Sequence, residues 1–176
     1  MQVTAFLRGV MPSGKNSIPK MSYLSEVLRD CGFENVQTYI QSGNILLDTD
    51  LSFSETAQKI HNIILEKIGA DLAVIIKTKA QLRIAVQENP FDNKYDYSRI
   101  HLVFTNDFTD KDKITAVEKT QFFGEILRKG SECLYMYLPR DAEKKKLNNN
   151  FLEKRLKITS TMRKLNVIEH LYGMLD

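Results

Sequence analysis

No run of apolar residues in this chain approaches the roughly 20 that a bilayer-crossing helix needs, so nothing in it predicts a membrane span. The opening residues, MQVTAFLRGV, lack a basic start, a long apolar middle and a small-residue cleavage site, and they are not read as a secretory leader. Cysteine is scarce. Cys31 and Cys133 are the only two, and a pair so far apart builds no disulfide framework. Free thiols without a leader predict a reducing, cytoplasmic setting. Net charge is also small: 25 Lys and Arg against 22 Asp and Glu leave +3, too little to imply nucleic acid by itself. Histidine is rarer still. His61, His101 and His170 are scattered, none at ligand spacing with another His or Cys, so no metal site is predicted. There is no G-x-S-x-G elbow, and SGKN lacks the full spacing of a phosphate-binding Walker loop. No cofactor is called for.

What remains is an ordinary globular composition, 43% apolar and 27% charged, in 176 residues, enough for one domain or two small ones. Residues 2–9, QVTAFLRG, read as a strand, followed by a loop broken by Pro12 and Gly14. Ser17 is placed to cap the next helix, with Pro19 in its first turn. That helix carries Ile18, Met21, Leu24, Val27, Leu28 and Cys31 at helical spacing and ends at Gly32. VQTYIQ and ILLDT form a hairpin around Ser42-Gly43. Ser52-x-x-Glu55 is a capping box, opening a helix with Phe53, Ala57, Ile60, Ile64 and Ile68 on one face and a stop at Gly69. His61 falls beside that face and is expected to look into solvent. LAVIIKT is a further strand.

The order over residues 1–78 is therefore βαββαβ, the pattern of a ferredoxin-like plait. Residues 79–176 give a helix (79–88, with Thr78 as its cap), a strand at 99–106, a helix from Asp110 to about Thr120, and a hairpin turning at Gly130. Two helices follow, near 149–157 and 161–174. The expected fold is α+β: two ferredoxin-like α/β-plait subdomains packed together, 1–78 and 79–176, the second irregular with C-terminal helices. The strand LAVIIK is apolar on both faces, so both sides of the first sheet should be covered, one by helices and one by the other subdomain.

In such a plait the third strand lies between the first and second. The exit of strand one, the loop after it and the hairpin tip then share an edge. Three polar segments meet there: Arg8; Ser13, Gly14, Lys15 and Asn16; and Gln41, Ser42, Gly43 and Asn44. Glycines let backbone approach a ligand, two cations supply charge, and a helix N-terminus adds free N–H groups. That combination suits phosphate or carboxylate. Hairpin geometry alone also accounts for Gly43 and Asn44, through positive φ.

LRGVMPSGKNSIPKM at 7–21 and TYIQSGN at 38–44 resemble the signatures of a bacterial family known as domain of unknown function 1697. The likeness extends to YMYLP at 135–139, KLNNNFLEKRLKIT at 146–159 and TMR at 161–163. It implies two plait subdomains and no established activity. The chain departs from the family pattern at Met11-Pro12-Ser13-Gly14, at Lys144-Lys145 and at Arg163-Lys164-Leu165, while Arg8, Lys15-Asn16 and Gln41-Ser42-Gly43-Asn44 match.

The expected function is binding of a small anionic ligand, a nucleotide or phosphorylated metabolite, at that edge. Arg8 and Lys15 would supply charge, Ser13, Gly14 and Gly43 close backbone, and Asn16, Gln41, Ser42 and Asn44 orienting hydrogen bonds. Whether catalysis accompanies binding stays open, since no nucleophile or general base stands out. Cys31 and Cys133 read as core, and Asp92, Asp96 and Asp107 as solvated loop acids. One alternative is nucleic-acid binding through the basic stretch 140–164, where nine cations face only Asp141, Glu143 and Glu153. Another is a structural or partner-binding protein without a ligand. A membrane partner is not expected, and the oligomeric state is not legible.

Overall fold

A computed structural model describes residues 1–175. The chain divides into two compact units, residues 1–79 together with Leu175, and Ala80–Met174. The first contains β1 (Gln2–Arg8), α1 (Met21–Asp30), β2 (Glu34–Tyr39), β3 (Asn44–Asp48), α2 (Phe53–Ile68) and β4 (Ala73–Thr78). Its sheet runs β2-β3-β1-β4, every neighbour antiparallel, which is the plait order. Register is set on both sides of β1 near its exit: Phe6 faces Asn44 of β3, and Arg8 faces Ala73 of β4.

One sheet face, with Val3, Ala5, Leu7, Ile45, Leu47, Val74 and Ile76, forms a core with Leu24, Val27 and Leu28 of α1 and Ile60, Ile63 and Ile64 of α2. Thr4, Phe6, Leu46 and Ile75 on the other face are buried too, so the central strands are dry on both sides. The turns follow local chemistry. Ser52 and Glu55 form the reciprocal capping box of α2, and Gly69 ends it in the left-handed region at φ 84°. Gly32 does the same after α1, at φ 87°, where Phe33 N–H donates to the Leu28 carbonyl.

After α3 (Lys79–Gln87), the second unit has β5 (Ile100–Thr105), α4 (Lys111–Glu118), β6 (Ile126–Lys129), β7 (Leu134–Tyr137), α5 (Asn149–Leu156), β8 (Ser160–Lys164) and α6 (Leu165–Met174). Its sheet runs β6-β7-β5-β8, again all antiparallel. The helix expected over 161–174 therefore begins only at Leu165, and Ser160–Lys164 is a strand. That strand supplies the fourth position of a full βαββαβ plait, so the second unit is more regular than its sequence suggests. Phe104 pairs with Thr161 and Thr105 with Ser160. A five-residue polar segment acquires strand geometry because β5 offers it an unpaired ladder. Asp110 caps α4 by accepting from Asp112 and Lys113 N–H, and Asn148 caps α5 by accepting from Phe151 N–H.

Candidate functional site

The three polar segments do meet at one edge of the first unit. Leu7 N–H, at the end of β1, donates to the Gly43 carbonyl over 2.8 Å. Between β1 and α1 the chain closes a small loop on itself. Met11 N–H donates to the Asn16 carbonyl (2.9 Å), and both Ser17 N–H (3.2 Å) and Ser17 Oγ (2.7 Å) donate to the Gly14 carbonyl. Two further bonds tie this loop to its neighbours. Asp71 N–H, just before β4, donates to Asn16 Oδ1 (3.0 Å), and Gln41 Nε2, on the hairpin tip, donates to the Ile18 carbonyl (2.8 Å). Lys15 and Gln41 thus belong to one rim, with only Asn16 and Ser17 between Lys15 and Ile18, whose carbonyl Gln41 holds.

At the loop's tip Ser13, Gly14 and Lys15 are exposed, and among the described residues nothing accepts from their backbone N–H groups. Gly14 sits at φ 86° with open space where a side chain would go. Arg8 is half-buried at the loop's entrance.

The polar groups of TYIQSGN mostly turn inward. Asn44 is fully buried, and its Nδ2 donates to the Tyr39 carbonyl (2.9 Å) and to Ser42 Oγ (3.1 Å), bracing the four-residue turn. Positive φ falls on Ile40 (51°) and Gly43 (83°) and not on Asn44, which is an ordinary strand residue paired with Phe6 and Tyr39. Gly43 is required sterically: a Cβ there would stand 2.8 Å from Leu7 Cβ. Ile40 is the feature that sequence reasoning missed. A β-branched, exposed residue in the left-handed region is strained, and no local signal marks it.

Two expectations are corrected. Ser17 does not cap α1. The helix starts four residues later, at Met21, its N-cap is Lys20, and no side chain caps it. Pro19 explains the delay, because a residue before proline is pushed out of helical geometry, leaving Ile18 to bury itself from the loop. The helix N-terminus is therefore not part of the 13–16 loop. His61 does not look freely into solvent. Its Nδ1 donates to the Leu72 carbonyl (2.9 Å) and its Nε2 lies 3.8 Å from Asp71, so it fastens α2 to the start of β4, next to the Asn16 anchor.

A separate cavity of about 220 Å3 opens at the other end of the same sheet, between Glu34, Asp48, Asp50 and Lys59. Three carboxylates make it unfit for an anion, and it is not the site described above. Cys31 packs against the first core, Cys133 is buried, and neither is in a disulfide. Among the described residues no three His, Cys, Asp or Glu side chains gather as a metal site requires, and no helix is long and apolar enough to cross a membrane.

The family model described as "Protein of unknown function (DUF1697)" matches residues 1–135. The match takes in both signature stretches, at 7–21 and 38–44, and stops where the basic C-terminal region is about to begin. A conserved bacterial protein from Streptococcus pneumoniae has a similar structure. It is 20% identical, the alignment covers 99% of this chain and 98% of that one, and the TM-score is 0.72. At that identity the likeness speaks for the fold alone, and it does so over the whole chain, β8 included. No curated protein matches the chain.

Proposed function

This chain belongs to the DUF1697 family of proteins of unknown function, and we propose that it binds a small phosphate- or carboxylate-bearing ligand at the edge formed by the 8–16 loop and the 41–44 turn. One observation carries the reading. Ser13, Gly14 and Lys15 present consecutive unclaimed N–H groups on a loop that four hydrogen bonds hold closed. A run of free N–H groups that includes a left-handed glycine has the make-up of an anion-binding nest, and pre-organisation lowers the cost of ordering it around a ligand.

The nine residues divide their work. Arg8 and Lys15 supply charge, and Ser13 and Gly14 supply backbone donors. Asn16, Gln41, Ser42, Gly43 and Asn44 hold the rim in place, with the unused amide oxygen of Gln41 available for orientation. The compartment proposed is the cytoplasm, in keeping with two cysteines that form no disulfide.

Thermal unfolding in the presence of inorganic phosphate, nucleotides and sugar phosphates tests this. A ligand at ten times its Kd should raise Tm by about 3–6 °C. The Arg8→Ala, Lys15→Ala double variant should lose the shift while its own ligand-free melting stays close to that of the parent. An equal shift in parent and double variant for every hit would place binding elsewhere.

A further inference from the structure

We infer that the second unit carries a separate surface for the phosphodiester backbone of nucleic acid, built from Lys144, Lys145, Lys146 and Arg155 around the rings of Phe122, Phe123 and Phe151. This does not rest on the small-anion reading and concerns a different part of the chain.

The side chains come together from three segments. Phe122 stands edge-on to Phe151, ring centroids 5.7 Å apart. Lys144 Nζ lies 4.9 Å above the Phe123 ring, Lys146 Nζ 5.8 Å from the Phe151 ring, and the Arg155 guanidinium 5.3 Å from that same ring. A cation over an aromatic face is held there by the ring's quadrupole and keeps its remaining donors outward. Two cations share one ring, although like charges repel, and among the described residues no carboxylate forms an ion pair with Lys144, Lys145, Lys146 or Arg155. Two nearby acids are engaged elsewhere. Glu153 accepts from Ser160 N–H (2.8 Å), and Glu125 accepts from Lys146 N–H (2.6 Å) and Leu147 N–H (2.8 Å).

Glu125 is the second observation. Its side chain is buried, and it grips the backbone of the lysine run from beneath. The basic segment is therefore not a loose solvated tail. Its backbone is clamped at Lys146 and Leu147, the Lys144, Lys146 and Arg155 charges rest on rings, and all four charges, Lys145 included, are exposed. Fixed, uncompensated cations are what a polymer of phosphates needs. The rings are already covered by cations, so bases have little face to stack on. Recognition through phosphate alone carries no sequence preference.

The full-length protein should be titrated with a fluorescein-labelled single-stranded RNA of mixed sequence, about 20 nucleotides long, with matching DNA, heparin and phosphatidylserine vesicles run alongside. Binding to RNA and DNA should be comparable. Between about 50 and 200 mM salt the slope of log K against log salt should be near −3, four cations each releasing about 0.7 of a counterion. A Lys144→Gln, Lys146→Gln, Arg155→Gln variant should flatten the slope to about −1 and weaken binding at the low-salt end roughly a hundredfold. Phe151→Leu keeps every charge, so it should weaken binding several-fold with the slope unchanged. A control with Lys20→Gln, Lys59→Gln and Lys67→Gln removes the same charge elsewhere and should bind like the parent, as should Arg8→Ala, Lys15→Ala. The proposal is overturned by any of three results: no nucleic-acid binding at low salt, undiminished binding by the triple Gln variant with its melting temperature intact, or binding to heparin or vesicles only.

Discussion

Replacing Gly43 by alanine is the sharpest test of how the hairpin tip is built. At φ 83° an L side chain is disfavoured, which costs about 1–2 kcal/mol. The new methyl would also stand 2.8 Å from Leu7 Cβ and 3.1 Å from Leu7 Cγ and Cδ1. Leu7 is 1% exposed, on the sheet face that packs on the helices, so it has nowhere to retreat without disturbing the core. Overpacking of this kind adds about 1–3 kcal/mol. The sum, about 2–5 kcal/mol, corresponds to a fall in Tm of roughly 5–15 °C for a chain of this size. Gly14→Ala is the internal control. Its φ is the same, 86°, but nothing lies within 4 Å of the new carbon, so only the backbone cost, about 1–2 kcal/mol, remains. Urea unfolding followed by far-ultraviolet circular dichroism measures both. If Gly43→Ala is no more destabilising than Gly14→Ala, the close approach between the turn and β1 does not exist as described.

Two further outcomes are expected. His101 lies buried on β5, and burial first, then the charges of Arg99 and Lys164, depress its pKa, while its bond to the Arg99 carbonyl works the other way. An imidazole with a folded pKa below its unfolded value of about 6.5 stabilises the protein above that pH and withdraws this stability as pH falls toward the folded pKa. Urea midpoints should drop as pH falls below about 6.5 in the parent and drop less in His101→Gln; parallel curves would refute the assignment. Glu125→Ala should leave Lys146 and Leu147 N–H groups without an acceptor, costing about 2–4 kcal/mol, and should speed hydrogen exchange at those two amides. Unchanged exchange there would mean that Glu125 does not hold the basic segment.

Much of the first unit was legible because its signals are local. The Ser52–Glu55 box and the left-handed glycines at 32 and 69 are satisfied within a turn of chain, and apolar residues at helical or alternating spacing state which face is inside. The edge shared by Arg8, the 13–16 loop and the 41–44 turn followed from strand order alone. Local signals misled where a distant partner decides. Ser17 has the right chemistry for a cap, but its hydroxyl is taken by the Gly14 carbonyl. His61 sits at a solvent-facing position on its helix, but Leu72 is close enough to accept from it.

The sequence by itself determined the order of helices and strands through most of the chain, the plait of residues 1–78 and the chemical character of each loop, because those depend on side-chain type, spacing and turn conformation within a few residues. Only the tertiary structure decided that Ser160–Lys164 is a strand, that Gln41 and Asn44 brace the rim, and that Lys144, Lys146 and Arg155 converge on two rings. In each of those cases the outcome is set by a ladder, a carbonyl or an aromatic face that another part of the chain brings into reach.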